Sequence, residues 1–401
     1  MVPASRVRRL GKWFVLLDNV LVVFGFYVVF PLISIHFVDH LGWAAGLVGL
    51  SLALRQFVQQ GLGIFAGSLA DRYGAKPLIV SGMLLRAAGF VCMALATSFW
   101  WLLLSCVLSG IGGALFDPPR NALIVKFTRP YERGRFFSII MMVDSAGAVA
   151  GALLGSWLLH FDFRWVGWIG AAIFLVAALC NGLLVPNYRV ATRRGSLLQG
   201  ITTVLRDRPY RNFVLTLSGY YLLGAQIMLL LPIAIKHMAG TPQAVGWMYT
   251  LDTILSLVLL YPLARYAEHR FTLQTRVMAG LALMTVSLGA LAFASNVVAM
   301  FVLMGGFYIG VIAAEPARET LVAELADPAM RGTYLGFSRI GLALGGALGH
   351  LSGGWLYDTA TNLRMPALPW VVLFVVGMVT LYALRMQFSA AKSIPMTVYQ
   401  G

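Results

Sequence analysis

The chain reads as an all-α integral membrane protein, with twelve transmembrane helices in two pseudo-symmetric six-helix halves. Three observations predict this. Hydrophobic residues make up 59% of the 401 residues and charged ones 11%, against about 25% charged in an ordinary soluble protein, so lipid must solvate most of the apolar surface. Twelve runs reach the ~20 apolar residues that a membrane helix needs. Finally, Phe116-Asp117-Pro118-Pro119-Arg120-Asn121-Ala122-Leu123 returns 198 residues later as Ala314-Glu315-Pro316-Ala317-Arg318-Glu319-Thr320-Leu321. A period near half the chain is too long for a solenoid and fits a duplicated half.

Taken in order, the first run lies near 13–35, behind Arg6, Arg8, Arg9 and Lys12. It is too long for a signal peptide, holds Asp18 and Asn19, and has no small-residue cleavage site after it, so it is a retained helix. Runs near 43–69, 77–98, 100–118, 136–159 and 164–186 complete an N-terminal half, residues 1–186. A basic linker follows over 187–211, rich in arginine with Asp207 as its one acid. The second half, 212–401, holds runs near 212–235, 244–264, 276–295, 297–318, 333–356 and 368–388. Pro31 and Pro232, 201 apart, are expected to end the first and seventh runs, because proline late in a membrane helix frees carbonyls. Gly147, Gly151 and Gly155 recur as Gly345, Gly349 and Gly353, and a four-residue glycine spacing lets another backbone come close.

The net charge of +15 is an orientation signal. Of 30 Lys and Arg, only Arg164, Lys236 and Arg364 fall in the loops opposite the termini, while Arg55, Arg86 and Arg339 lie within the spans. That bias places both termini in the cytoplasm, and no nucleic-acid role is expected. The three cysteines give neither a disulfide framework nor a metal spacing. His36 and His40 beside Asp39 read as residues of the outer membrane edge. The loops are too short for a soluble catalytic domain or a receptor ectodomain. No Gly-x4-Gly-Lys-Ser/Thr loop is present. An enzyme, a bound cofactor, a metal and an obligate protein partner are therefore not expected. Two like halves in so apolar a chain point to a secondary transporter with its substrate between them.

The run Gly67-Ser68-Leu69-Ala70-Asp71-Arg72-Tyr73-Gly74-Ala75-Lys76 resembles the signature of the major facilitator superfamily, departing at Ala75, where a basic residue is usual. The turns at Pro130 to Arg135, with Arg133, and at Pro328 to Gly332, with Arg331, resemble those before the family's fifth and eleventh helices. Longer stretches, from Asp18-Asn19 through Pro31 and around both repeat motifs, resemble its drug:proton antiporter branch across essentially the whole chain. Cys106, where that branch has Arg, and Ala152 and Ser156, where it has Pro and Gly, depart from it. The resemblance implies alternating access by two halves in the bacterial inner membrane. It also implies a cytoplasmic gate drawn from Gly67, Asp71, Arg72, Gly74, Lys76, Asp117, Arg120, Arg133, Glu315, Arg318 and Arg331.

A charge at the bilayer centre costs at least ~2.5–3.5 kcal/mol, so each one present needs a reason. Asp117 with Arg120 and Glu315 with Arg318 are three apart and read as local ion pairs reaching toward water. Arg55, Arg86 and Arg339 read as partners for intramembrane acids. Asp144 and Asp252, on spans that flank the passage in the implied fold, are the first candidates for proton coupling, with Asp18 and Glu315 next. For Asp144 and Asp252, a fixed pair with Arg55 or a hydrogen bond to backbone is the structural alternative. Tyr220, Tyr221, Trp247, Tyr249, Phe307 and Tyr308 are candidates for an apolar substrate pocket, with helix or lipid packing the alternative. The function these features fit is proton-coupled export of amphipathic organic compounds. Import of a small polar nutrient is the runner-up, and a membrane-embedded enzyme or receptor a remote alternative.

Overall fold

The computed structural model describes residues 4–128, 133–184, 197–327 and 330–392, and among these every regular element is a helix. Helices α1 (Ala4–Ser34), α2 (Ala45–Tyr73), α3 (Ala75–Ala94), α4 (Phe99–Phe127), α5 (Arg133–Leu158) and α6 (Phe163–Leu184) are the first six spans. Helix α7 (Leu197–Arg206) lies in the linker, and α8 (Arg208–Gly224) with α9 (Leu230–Ala239) forms one interrupted span. The chain continues as α10 (Gln243–Arg270), α11 (Leu273–Ala290), α12 (Val297–Glu324), α13 (Arg331–Leu363) and α14 (Leu368–Lys392). Nine spans among the described residues are apolar enough to cross a membrane by composition alone. The other three, α2, α5 and α13, are long enough, since the 26 residues of α5 reach ~39 Å at 1.5 Å per residue. Within α5, Met142–Leu158 is itself an apolar helical stretch.

Chain contacts sort the residues into two compact units. One is Met1–Arg194 with Gln226–Thr253 and His350–Asp358, and the other is Gly195–Ala225, Ile254–Gly349 and Thr359–Gly401. Inside the first, α3 packs on α4 and α6, α2 on α4, and α1 on α5 and α6. Inside the second, α11 packs on α12 and α14, and α14 on α8. The duplication is visible in the closest approaches. A Cβ added at Gly82 would stand 2.6 Å from the Gly112 carbonyl oxygen, and one at Gly280 would stand 2.5 Å from that of Gly310. Both pairs are related by the repeat offset, so two helix crossings so tight that only glycine fits have been kept in register.

Two expectations need correction. Pro31 does not end its helix: α1 runs on to Ser34 and continues as a π-helical turn, Ile35–His40, an accommodation of the kind that helices make where the hydrogen-bond ladder is disturbed. Pro232 sits near the start of α9, after a break that includes the 3-10 turn Ala225–Met228. Proline is tolerated in a first turn because its missing N–H has no intrahelical partner there. The linker is also more than a connector. Residues 187–196 of it lie outside those described, but Val204 of α7 is buried with Tyr210, Val214, Ala326, Tyr334 and Phe337. Asp207 caps α8 through the Tyr210 N–H at 3.1 Å and accepts from the Tyr334 hydroxyl at 2.9 Å.

Candidate functional site

The glycine stripe of α5 lies against α1. A Cβ at Gly151 would meet the Phe24 carbonyl oxygen at 2.5 Å, and Gly155 faces the Val28 carbonyl. One turn before the stripe, Asp144 accepts a hydrogen bond from the Asn19 side-chain amide of α1. The same arrangement recurs where α13 lies on the seventh span. Gly349 faces the Leu222 carbonyl oxygen at 2.6 Å and Gly353 the Gln226 side chain, while Gly345 meets the Ser218 carbonyl. Leu222 and Gln226 are the repeat mates of Phe24 and Val28. The partner of the stripe that holds Asp144 is thus a helix of the same half.

Asp144 and Asp252 converge. Next to each stands a residue of one shared contact, Thr253 Oγ1 donating to the Ser145 carbonyl at 3.3 Å. Tyr27 is within electrostatic range of both carboxylates and packs edge-on against Tyr249 at 5.3 Å. Asp252 has no hydrogen-bond or ion-pair partner among the described residues. Asp18 is buried and accepts from Asn181 Nδ2 at 2.6 Å. The alternative of a fixed pair with Arg55 is not seen. That guanidinium donates to Gln59 at 2.8 Å and Gln56 at 3.3 Å, and stands 4.5 Å from the Phe30 ring centroid. Arg86 is buried against Phe116 and Phe174, and Arg339 is exposed on α13.

The two charge motifs of the repeat have diverged. Arg318 pairs with Glu315 and, at 2.9 Å, with Glu319. It donates to the Tyr221 hydroxyl, while Tyr220 donates to Glu315 Oε2 at 2.7 Å. Arg318 is only 3% exposed, so it does not reach toward water as expected. The Tyr221 hydroxyl and two carboxylates take up its terminal nitrogens in place. Asp117 and Arg120 form no ion pair among the described residues. The shorter Asp117 side chain accepts from Gln59 Nε2 at 2.9 Å, and Arg120 lies over the Phe116 ring at 5.7 Å.

The expected pocket aromatics are therefore spread over several settings. Tyr220 and Tyr221 serve the Arg318 cluster, and Tyr249 is buried with its hydroxyl donating to the Ile227 carbonyl at 3.1 Å. Phe307 and Tyr308 are fully buried in α12, whereas Trp247 is 51% exposed. At the signature, Gly74 adopts φ +93° and separates α2 from α3, a conformation that glycine tolerates. Ala75 is fully buried at the start of α3, which explains why no basic residue stands there. Arg72 is exposed over Tyr73, and Lys76 is half-buried. The side chains of Gly67, Asp71, Arg133 and Arg331, and the turn prolines Pro130 and Pro328, lie outside the described residues.

A second polar constellation, at the far ends of the helices, went unread in the sequence. Asp39 accepts from Lys236 Nζ at 2.9 Å and lies 3.0 Å from His237 Nε2. Asp358 receives the Ala45 and Gly46 N–H groups of α2, both at 2.7 Å. A carboxylate there meets the positive end of the helix dipole and fills two unpaired donors. His160 donates from Nδ1 to the Ser156 carbonyl at 2.9 Å, leaving Nε2 to accept from the Gln243 amide. The signal that finds these residues is the repeat offset applied to polar residues at run ends, where Asp39 maps to His237 and His160 to Asp358.

Duplicated six-helix packing, tight glycine crossings and isolated intramembrane acids define a multi-pass membrane transporter. The chain belongs to the major facilitator superfamily. A profile described as Major Facilitator Superfamily matches residues 16–238 and again 212–395. The chain is 58% identical to multidrug resistance protein MdtH of Photorhabdus laumondii subsp. laumondii, over 98% of each chain. It is 59% identical to the protein of that name from Yersinia pestis (strain Pestoides F), again over 98% of each. Among solved structures it resembles the nucleoside transporter NupG at TM-score 0.79 and 14% identity, covering 94% of this chain and 99% of that one. A peptide transporter POT matches at TM-score 0.79 and 14% identity over 98% of each. At such identity these two likenesses speak for the fold alone.

Proposed function

We propose that the protein is a proton-coupled exporter of amphipathic drugs or similar organic compounds, working by alternating access in the bacterial inner membrane. Both termini are cytoplasmic in this reading. The moving bodies are the halves 1–186 and 212–401, joined by the basic linker 187–211. The observation that carries the reading is the chain-wide identity of 58–59% to proteins named for multidrug resistance. The acids support it. Asp144 has a neutral amide as its hydrogen-bond partner and Asp252 has no partner among the described residues, so neither is neutralised by a fixed cation, and each is free to take up or release a proton. Glu315, tied to Arg318 and Tyr220, is the least suited of the four candidates, and Asp18 is held by Asn181. Asp71 and Arg72 serve the cytoplasmic gate.

A susceptibility panel on cells that overproduce or lack the protein, with and without an uncoupler, tests the proposal. Overproduction should raise tolerance to several unrelated amphipathic cations, and the uncoupler should abolish that gain. Unchanged tolerance across the panel would count against export of such compounds.

A further inference from the structure

A groove of about 180 Å³ opens between the last turns of α10, the start of α11 and the middle of α12. Its wall is apolar, formed by Leu263, Ala267, Ala279, Ile312 and Ala313 with Tyr266. In the first half, α2 lies along α4 with Gly110 against the Arg55 carbonyl. The volume is below the ~300 Å³ at which drug-sized pockets begin, so the groove suits one chain or a headgroup rather than a whole drug.

Arg276 lines this groove, and it is 8% exposed. Its Nε is shielded and unpartnered, and no other guanidinium nitrogen of it makes a hydrogen bond or ion pair among the described residues. It stands in the first turn of α11, where the helix dipole disfavours a cation. A buried charge without a counter-ion is costly, and the nearby acids do not relieve it. Glu315, one turn beyond Ile312, is committed to Arg318, and Glu268 is exposed without an ion-pair partner among the described residues. Arg265 and Arg270 add positive charge on the same stretch of α10, lining a neighbouring hollow that shares Tyr266, and each donates to a tyrosine hydroxyl.

We propose that this groove binds an acidic phospholipid, its phosphate on Arg276 at the α11 N-terminus and the head of its acyl chain along the apolar wall. Three arginines against one exposed acid select a net anionic headgroup over a zwitterionic one. The site is distinct from the acids assigned to proton coupling, and it would hold whatever the exported compound is.

The test is thermal unfolding of the purified full chain in detergent micelles doped with phosphatidylglycerol or, at the same mole fraction, phosphatidylcholine. Phosphatidylglycerol should raise the midpoint by about 2–4 °C over phosphatidylcholine. Arg276→Gln should lose that rise, Arg276→Lys should keep part of it, and Arg164→Gln, elsewhere on the surface, should keep all of it. Ala279→Phe fills the groove without touching the charge and should also lose the rise, which keeps the test open if Arg276→Gln fails to fold. A full rise in Ala279→Phe or Arg276→Gln overturns the proposal. So does an equal rise from sodium phosphate in phosphatidylcholine micelles, which would mark a site for the free anion.

Discussion

Asp39 and His237 are 198 residues apart, which is the repeat offset, and their side chains meet, Oδ1 3.0 Å from Nε2. A residue can touch its own repeat mate only near the pseudo-two-fold axis that relates the copies. The flanking contacts obey the same operation, because Ala45 with Asp358 maps onto Gln243 with His160. The chemistry has diverged while the geometry persisted. One flank is a carboxylate on two backbone donors, and the other is an imidazole on an amide.

The carboxylates are expected to hold the far ends of α1, α2, α9 and α13 together. Hydrogen bonds to charged groups are worth about 1.5–3 kcal/mol each. Asp39→Asn and Asp358→Asn should therefore raise, by about tenfold, the rate at which an impermeant thiol reagent labels a cysteine placed at the buried Ala244. Cys92, Cys106 and Cys180 would be replaced first. Equal labelling of variant and parent would reduce the contacts to surface decoration.

Asp71→Asn should leave insertion intact, bias the protein toward its inward-open state and slow transport. Cysteine accessibility from the cytoplasmic side, measured beside flux, checks this. If neither changes, the signature acts only as a topology marker.

The glycine seam makes a graded prediction. At Gly147 an added Cβ would meet Val23 Cγ1 at 3.5 Å, an ordinary contact, whereas at Gly151 it would meet a backbone carbonyl at 2.5 Å. Gly147→Ala should be nearly neutral. Gly151→Ala, and Gly349→Ala in the second copy, should cost about 1–3 kcal/mol. Thermal midpoints in detergent compare the three variants directly.

Glu315 and Glu319 both pair with the buried Arg318, but only Glu315 also accepts from Tyr220. Removing the acid that closes the larger network should hurt more. Glu315→Gln is expected to lower the unfolding midpoint further than Glu319→Gln, and the reverse order would show that the tyrosine bridge contributes little.

The fold was legible because its causes are additive along the chain. Apolar length marks spans, basic loops mark sides, and the motifs at Asp117 and Glu315 mark the duplication. The glycine stripe with Asp144 was readable for a similar reason, since residues three, seven and eleven apart share a helix face. What escaped depends on which helix lies opposite. No local signal says that Asp117 turns to Gln59 instead of Arg120, or that Tyr220 and Tyr221 serve Arg318 rather than a pocket. Helix α7 could have been found, since Leu197, Ile201, Val204 and Leu205 follow a helical period, but a basic linker draws attention to its charges.

We propose that Asp144 carries the coupled proton, and pH-gradient-driven efflux from proteoliposomes is the measurement that reads it. Asn at position 144 can still accept the Asn19 amide, so Asp144→Asn removes the titratable charge while keeping the seam. The variant is expected to insert and bind substrate but to lose efflux driven by the gradient, with Asp252→Asn showing a milder or substrate-dependent loss. Normal efflux by Asp144→Asn with unaltered pH dependence would contradict the claim and move the proton to another acid.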